Sequence, residues 1–236
     1  MKITKERKFP PELRCFALTL NFYSSAAYNY VRKTFGNCLP HPSTLKKWYS
    51  SIDGSPGYTQ ESLNAIRQKA EEMKQQNKTL VAGLIMDEMS IRQHVEWDGK
   101  RQTGYINYGY GMHSDSLPIA KDALVFLIVG LNCRWKIPIA YFLINGLSAD
   151  EKANLVKGCF LMLKDTGVQL VSLTFDGAAA NLSMARILGA DLTYPTLKTY
   201  FPHPIIPCAK VYIVLDPCHM IKLIRNTLGE FGQLID

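Results

Sequence analysis

The sequence predicts a mixed α/β domain preceded by a basic helical region, and three observations predict it. Apolar residues recur at helical spacing up to about Lys78, whereas from Thr79 onward compact apolar runs alternate with amphipathic stretches. Three of the later runs close on an aspartate: LIMD at Asp87, LTFD at Asp176 and IVLD at Asp216. The excess positive charge is confined to the first region, since residues 1–78 hold 13 Lys/Arg against 6 Asp/Glu while residues 79–236 hold 14 against 14.

In the first region, Glu12 to Leu20 and Ala26 to Phe35 have helical spacing, with Tyr28, Val31 and Phe35 on one face. Ser43 is expected to cap a short helix, STLKKWYSSI, which breaks at Asp53 to Gly57. A further helix follows from Thr59, with Leu63, Ile66, Ala70 and Met73 on one side and charges on the other. Helix, turn and short basic helix is the arrangement that enters a DNA groove, which makes Lys46 and Lys47 candidate DNA contacts. The competing reading is a solvated basic face beside Trp48 as a core aromatic. The Gln/Lys-rich MKQQNKT marks the expected boundary between a helical region, residues 1–78, and an α/β domain, residues 79–236.

In the second region, TLVAGLIMDEMSIRQ reads as a strand buried on both faces, and YINYGYG as a second strand. DALVFLIVGLNCRWKIPIAYFLI supplies a third, or a pair turned at Asn132 to Lys136. Ser148 and Glu151 have capping-box spacing and open a helix that stops at Thr166-Gly167. VQLVSLTFD is the fourth strand, and Gly177 to Asn181 turns into a helix reaching about Leu188. AKVYIVLD is the fifth strand, and Pro217 sits in the first turn of the helix PCHMIKLIRNTLGEFGQLI.

The bulk composition limits the function classes. With 236 residues, 47% of them hydrophobic, the chain can bury a substantial core. Apolar runs such as Ala123 to Leu131 are too short to span a bilayer, so no membrane is expected as a partner. The opening MKITKERKFPPELRC has no apolar stretch of secretory type. The six cysteines lack CxxC spacing and read as reduced, buried thiols, against a disulfide framework or a zinc site. No GxxxxGK loop supports nucleotide binding, and His41, His94, His113 and His203 lack ligand spacing.

An acid placed at the end of a buried strand can meet acids from neighbouring strands at the sheet edge. Oxygen-only clusters of that kind suit Mg²⁺, and two such ions can clamp the attacking and leaving oxygens of a phosphoryl transfer. The competing reading is that Asp ends strands because it starts turns and caps helices. Glu88 would point away from Asp87 and serve a structural role, and Asn181 would bond loop backbone.

The order of three strands, helix, strand, helix, strand, helix is that of the ribonuclease H-like fold, whose first and fourth strands each carry a catalytic acid. LIMDEMSI, SLTFDGAAAN and above all LDPCHMIKLIRN resemble the core motifs of P element-type transposases and their THAP-domain-containing relatives. The resemblance implies a nuclear DDE/D-type enzyme that uses two Mg²⁺ ions to cleave element ends and join them to target DNA. By motif, Asp87 and Asp176 are then catalytic metal ligands; Asp216, the third acid at a strand end, is a candidate supporting acid. The family's third acid follows a large insertion domain that binds GTP in the P element enzyme. Glu230 and Asp236 match no family motif, and no Cys/His set has the spacing of the THAP zinc finger.

Catalysis is therefore expected of a complete transposase and not of these residues alone. The alternative is a non-catalytic, domesticated DNA- or protein-binding module, and a homo-oligomer is left open. His219, Lys222 and Arg225 fall three apart and share a helix face suited to phosphate or to an acid cluster. They are candidate DNA contacts, with Met220, Ile221, Leu223 and Ile224 expected on the core side.

Overall fold

A computed structural model describes residues 9–50, 53–97, 99, 102–109 and 117–232; His113 and Asp236 lie outside them. The chain divides into two compact units, Met1–Gly54 and Ser55–Asp236.

Among its described residues the first unit holds three helices: α1 (Pro11–Tyr23), α2 (Ser25–Thr34) and α3 (Pro42–Tyr49). Ala17, Tyr28, Leu39 and Leu45 form a small core, against which Leu13, Val31 and Trp48 pack. The buried Tyr28 hydroxyl donates to the Pro40 carbonyl at 2.6 Å and so fixes the turn between α2 and α3. His41, not Ser43, caps α3: Pro42 takes the first helical position, and the His41 ring accepts the Ser43 N–H at 3.2 Å. Lys46 and Lys47 are exposed on α3, while Trp48 is half-buried with the Arg14 guanidinium 4.6 Å from its ring centroid. Trp48 thus belongs to the core and the two lysines to the surface.

The second unit begins well before Thr79, because helix α4 (Gln60–Gln75) buries Leu63, Ile66, Ala70 and Met73 in the same core as the sheet. The expected boundary at Lys78 separated a helix from the surface that its apolar face needs. The strands are β1 (Gly57–Tyr58), β2 (Leu80–Ser90), β3 (Glu96–Trp97), β4 (Gln102–Thr103), β5 (Asp122–Gly130), β6 (Lys136–Ile144), β7 (Val168–Phe175), β8 (Tyr200–Pro202) and β9 (Lys210–Leu215). Seven of them form one sheet, in the order β1-β6-β5-β2-β7-β9-β8. Strands β2, β7 and β9 run parallel at its centre, and β5 and β6 form an antiparallel hairpin beside β2.

Helices α5 (Ala149–Leu163) and α6 (Ala179–Leu188) pack on each other and feed Val156, Phe160, Met184 and Ala185 into the core. The Ser148/Glu151 capping box opens α5 as the spacing predicts, its two backbone bonds measuring 3.2 and 2.8 Å. Helix α7 (Pro217–Phe231) follows β9.

Four further expectations differ from the structure. YINYGYG does not form a strand over its described part: Tyr105 and Asn107 make isolated bridges, and the hairpin β5/β6 supplies the second and third strands. Strand β2 is covered more completely on one face than on the other, since Leu80, Ala82, Leu84 and Met86 are buried while Val81 and Ile85, flanking the buried Gly83, are half-buried, and from Asp87 to Ser90 the strand is exposed. All six cysteines are free, but Cys159 alone is buried. Finally, no residue of α7 is buried, and Ile221 and Ile224, expected on its core side, are 67% and 49% exposed.

Candidate active site at the strand ends

The parallel register decides which acids meet. Strands β2 and β7 pair Val81 with Gln169 and Ala82 with Leu170, then shift by one residue, passing over Val171, so that Gly83 pairs with Ser172 and Ile85 with Thr174. Continuing this register, Asp87 and Asp176 come level. Without the shift Phe175 would stand beside Asp87, because a one-residue slip in a strand exchanges its faces. Strands β7 and β9 pair Phe175 with Leu215, which brings Asp216 level with Asp176, and the Asp216 N–H donates to the Phe175 carbonyl at 2.9 Å. Asp176 and Asp216 directly follow β7 and β9, whereas β2 runs on past Asp87 to Ser90, still paired with β5; the three aspartates stand level where the parallel pairing ends.

Each aspartate commits one oxygen to local structure. Oδ1 of Asp87 accepts the Glu88 N–H at 2.9 Å, Oδ1 of Asp176 accepts the Ala178 N–H at 3.1 Å, and Oδ1 of Asp216 accepts the Cys218 N–H at 3.1 Å, capping α7. Among the described residues no hydrogen bond falls on the other oxygen of any of them. The turn-forming role and an available oxygen therefore coexist on the same side chains. Asp87 is exposed and Asp176 half-buried.

These donors suit Mg²⁺ in kind, since a small hard cation takes one or two carboxylates and keeps water or phosphate for its other positions. In number they fall short of a closed cage: among the described residues no group of three His, Cys, Asp or Glu side chains converges tightly enough to hold a metal ion.

Behind the carboxylates lies a polar chain that spacing alone did not reveal. Asn181 Nδ2 donates to Asp176 Oδ1 at 2.6 Å, so this side chain bonds the carboxylate and not, as expected, the loop backbone. Asn181 Oδ1 accepts from Lys152 Nζ at 2.9 Å, and Lys152 Nζ pairs with Glu88 Oε1 at 2.6 Å. Lys152 is only 5% exposed, which is uncommon for a lysine unless it is paired. The legible signal was a lone lysine one residue after the capping glutamate of α5; its burial depends on how α5 and α6 pack.

The basic triad lies on α7. His219 is half-buried, Lys222 and Arg225 are exposed, and the Arg225 guanidinium bonds its neighbour Asn226 at 2.9 and 3.3 Å. Among the described residues none of the three forms a salt bridge. The first turn of α7 packs on the loop after β7: a Cβ added to Gly177 would lie 2.9 Å from the Met220 methyl. Of the other candidates, Cys159 is no nucleophile, because complete burial pushes its thiol far above the usual range. His203 accepts the Ile205 and Ile206 N–H groups, each at 3.1 Å, through Nδ1, and burial lowers its pKa below the ordinary histidine value.

A central strand antiparallel to a hairpin on one side and parallel to two strands on the other, with acids level at the parallel ends, defines a ribonuclease H-like domain. Comparison with known proteins then gives the family. The chain belongs to the family described as TNP-like, RNase H N-terminal domain, which matches residues 54–189, and residues 1–48 match the transposable element P transposase-like HTH domain. The first match ends at residue 48 and the second begins at residue 54, next to the division of the compact units after Gly54.

Among curated relatives, DNA transposase THAP9 of Homo sapiens is 30% identical over 96% of this chain and 25% of its own length. The transposable element P transposase of Drosophila melanogaster is 26% identical over 93% of this chain and 26% of its own. The chain thus spans about a quarter of the length of these relatives. A solved structure, the Drosophila P element transposase strand transfer complex, superimposes with a TM-score of 0.68 at 22% identity, over 94% of this chain and 45% of that one, a likeness of fold.

Proposed function

We propose that this chain carries the DNA-contacting helices and the first catalytic carboxylates of a P element-type DNA transposase, acting by metal-dependent phosphoryl transfer at element ends and target DNA. The observation that carries the reading is the register that brings Asp87 and Asp176 level, each with an oxygen left over from local hydrogen bonding. In this role Asp87 and Asp176 hold Mg²⁺, and Asp216 adds negative potential beside them. A Mg²⁺ ion held there would supply Lewis-acid stabilisation of charge on the phosphate oxygens.

The rest of the chemistry proposed belongs to the chain's own cations. His219, Lys222 and Arg225 on α7, which springs from Asp216, lie along the DNA backbone and orient the phosphodiester without reading its sequence. The first unit, with nine Lys/Arg against three Asp/Glu over residues 1–54, adds phosphate contacts through Lys46 and Lys47. An enzyme acting on DNA in this way would work in the nucleus.

A second reading, a non-catalytic DNA- or protein-binding module, is favoured by one observation: no three-ligand group converges among the described residues. Titration with Mn²⁺, a paramagnetic substitute for Mg²⁺, separates the two. Under the first reading Asp87→Asn and Asp176→Asn each abolish saturable Mn²⁺ binding while DNA binding persists; wild-type Mn²⁺ binding by both variants would refute it.

A further inference from the structure

We propose that Lys152 is a positioning residue for the carboxylates of Asp87 and Asp176: it fixes the polarity of the Asn181 amide and links Glu88 of β2 and, through Asn181, the loop after β7 to one buried cation. The inference rests on the reading of Asp87 and Asp176 as metal ligands.

The argument follows from donors and acceptors. An asparagine amide has one accepting and one donating end, and packing alone distinguishes them poorly. Lys152 offers only donors, so the end of Asn181 that faces it at 2.9 Å must be the oxygen. The NH₂ end is thereby turned to Asp176, where it donates at 2.6 Å. A reversed amide would set oxygen against carboxylate and oppose two sets of donors.

With Asn181 and the Ala178 N–H both on Oδ1, Asp176 is held in one rotation and presents Oδ2 alone. On its other side Lys152 pairs at 2.6 Å with Glu88, the residue after Asp87. Successive strand residues point to opposite faces, so Glu88 anchors β2 from behind while Asp87 remains available. At 5% exposure Lys152 is out of reach of DNA, which leaves its effect to act through Asn181 and Glu88. Groups that orient metal ligands from behind typically contribute about 10- to 100-fold in metal affinity.

The test is Mn²⁺ binding by the whole chain, read from the electron paramagnetic resonance signal of the free ion, with circular dichroism as the check on folding. Lys152→Met is expected to weaken binding by about 10-fold or more, and Lys152→Arg to recover much of the loss by restoring donors toward Asn181. Asn181→Leu should weaken it too, by no more than Lys152→Met, and the Lys152→Met/Asn181→Leu double variant should lose no more than Lys152→Met alone, since the asparagine lies on one of the two links that the lysine makes. Should Lys152→Met fail to fold, Asn181→Leu decides the matter alone. Wild-type affinity in Lys152→Met or Asn181→Leu, alongside abolished binding in Asp176→Asn, overturns the role of Lys152 and leaves the metal site standing. Wild-type affinity in Asp87→Asn and Asp176→Asn, or no saturable binding by the wild-type chain, overturns the metal site and this inference with it. A lysine that served packing alone would change thermal stability and not Mn²⁺ affinity.

Discussion

Gly83 stands at the register shift that levels Asp87 with Asp176, and its replacement tests whether that shift depends on a close approach of two strands. A Cβ added at Gly83 would lie 2.6 Å from the Ser172 hydroxyl oxygen, against 3.9 Å from a Leu131 methyl and 4.0 Å from the Ser172 Cβ. Only the hydroxyl is too close. Gly83 is not among the positive-φ residues, so alanine meets no backbone strain there and gains about 0.4–1 kcal/mol by restricting the unfolded chain. Overpacking by one methyl costs about 1–3 kcal/mol, and Gly83→Ala should therefore destabilise the second unit by roughly 1–2 kcal/mol once the smaller gain is deducted.

In a Ser172→Ala background the obstructing oxygen is absent and the remaining contacts are ordinary. Gly83→Ala should then be neutral or slightly stabilising, which amounts to a coupling of about 1–3 kcal/mol in a double-mutant cycle. Urea denaturation measures it directly, and thermal melts should move by about 2–4 °C per kcal/mol in a chain of this size. Equal destabilisation in both backgrounds would refute the reasoning, as would a neutral Gly83→Ala in the wild-type chain.

Three further outcomes are expected. Ser148→Ala removes the side-chain half of the capping box on α5 and should cost about 1 kcal/mol in denaturant titration, with the turn carrying Lys152 fraying first in hydrogen exchange. His203 has a folded pKa below its unfolded value because burial favours the neutral ring, so the unfolded chain takes up the proton first as pH falls; stability should drop below about pH 6.5 and level off beneath the folded pKa. The pH dependence of the wild-type chain between about pH 7 and 5 should exceed that of His203→Asn. Under the DNA-contact proposal, replacing Lys46 and Lys47 by alanine should lower the slope of log affinity against log salt by roughly 1 per lysine, measured on unrelated DNA sequences with similar loss for each.

Much of the fold was legible because its signals are local. The helical spacing of Leu63, Ile66, Ala70 and Met73, the Ser148/Glu151 cap and the Pro217 start depend on residues within a few positions of one another. YINYGYG misled because alternation of aromatic and polar residues describes any extended segment, paired along its length or not. Helix α7 misled for a related reason: its amphipathic pattern marks a face that can be buried, and Ile221 and Ile224 remain exposed on it.

For the candidate site, the sequence by itself determined that an aspartate follows the apolar run of each central strand and which motifs mark the family, although β2 runs on past Asp87 to Ser90. What the tertiary structure decided is their relation. The single register shift at Val171 sets Asp176, and not Phe175, beside Asp87, and the packing of α5 against α6 buries Lys152 between Glu88 and Asn181. Periodicity within one strand carries no information about its height relative to another, since that height is set by hydrogen bonds between residues some ninety positions apart in the chain.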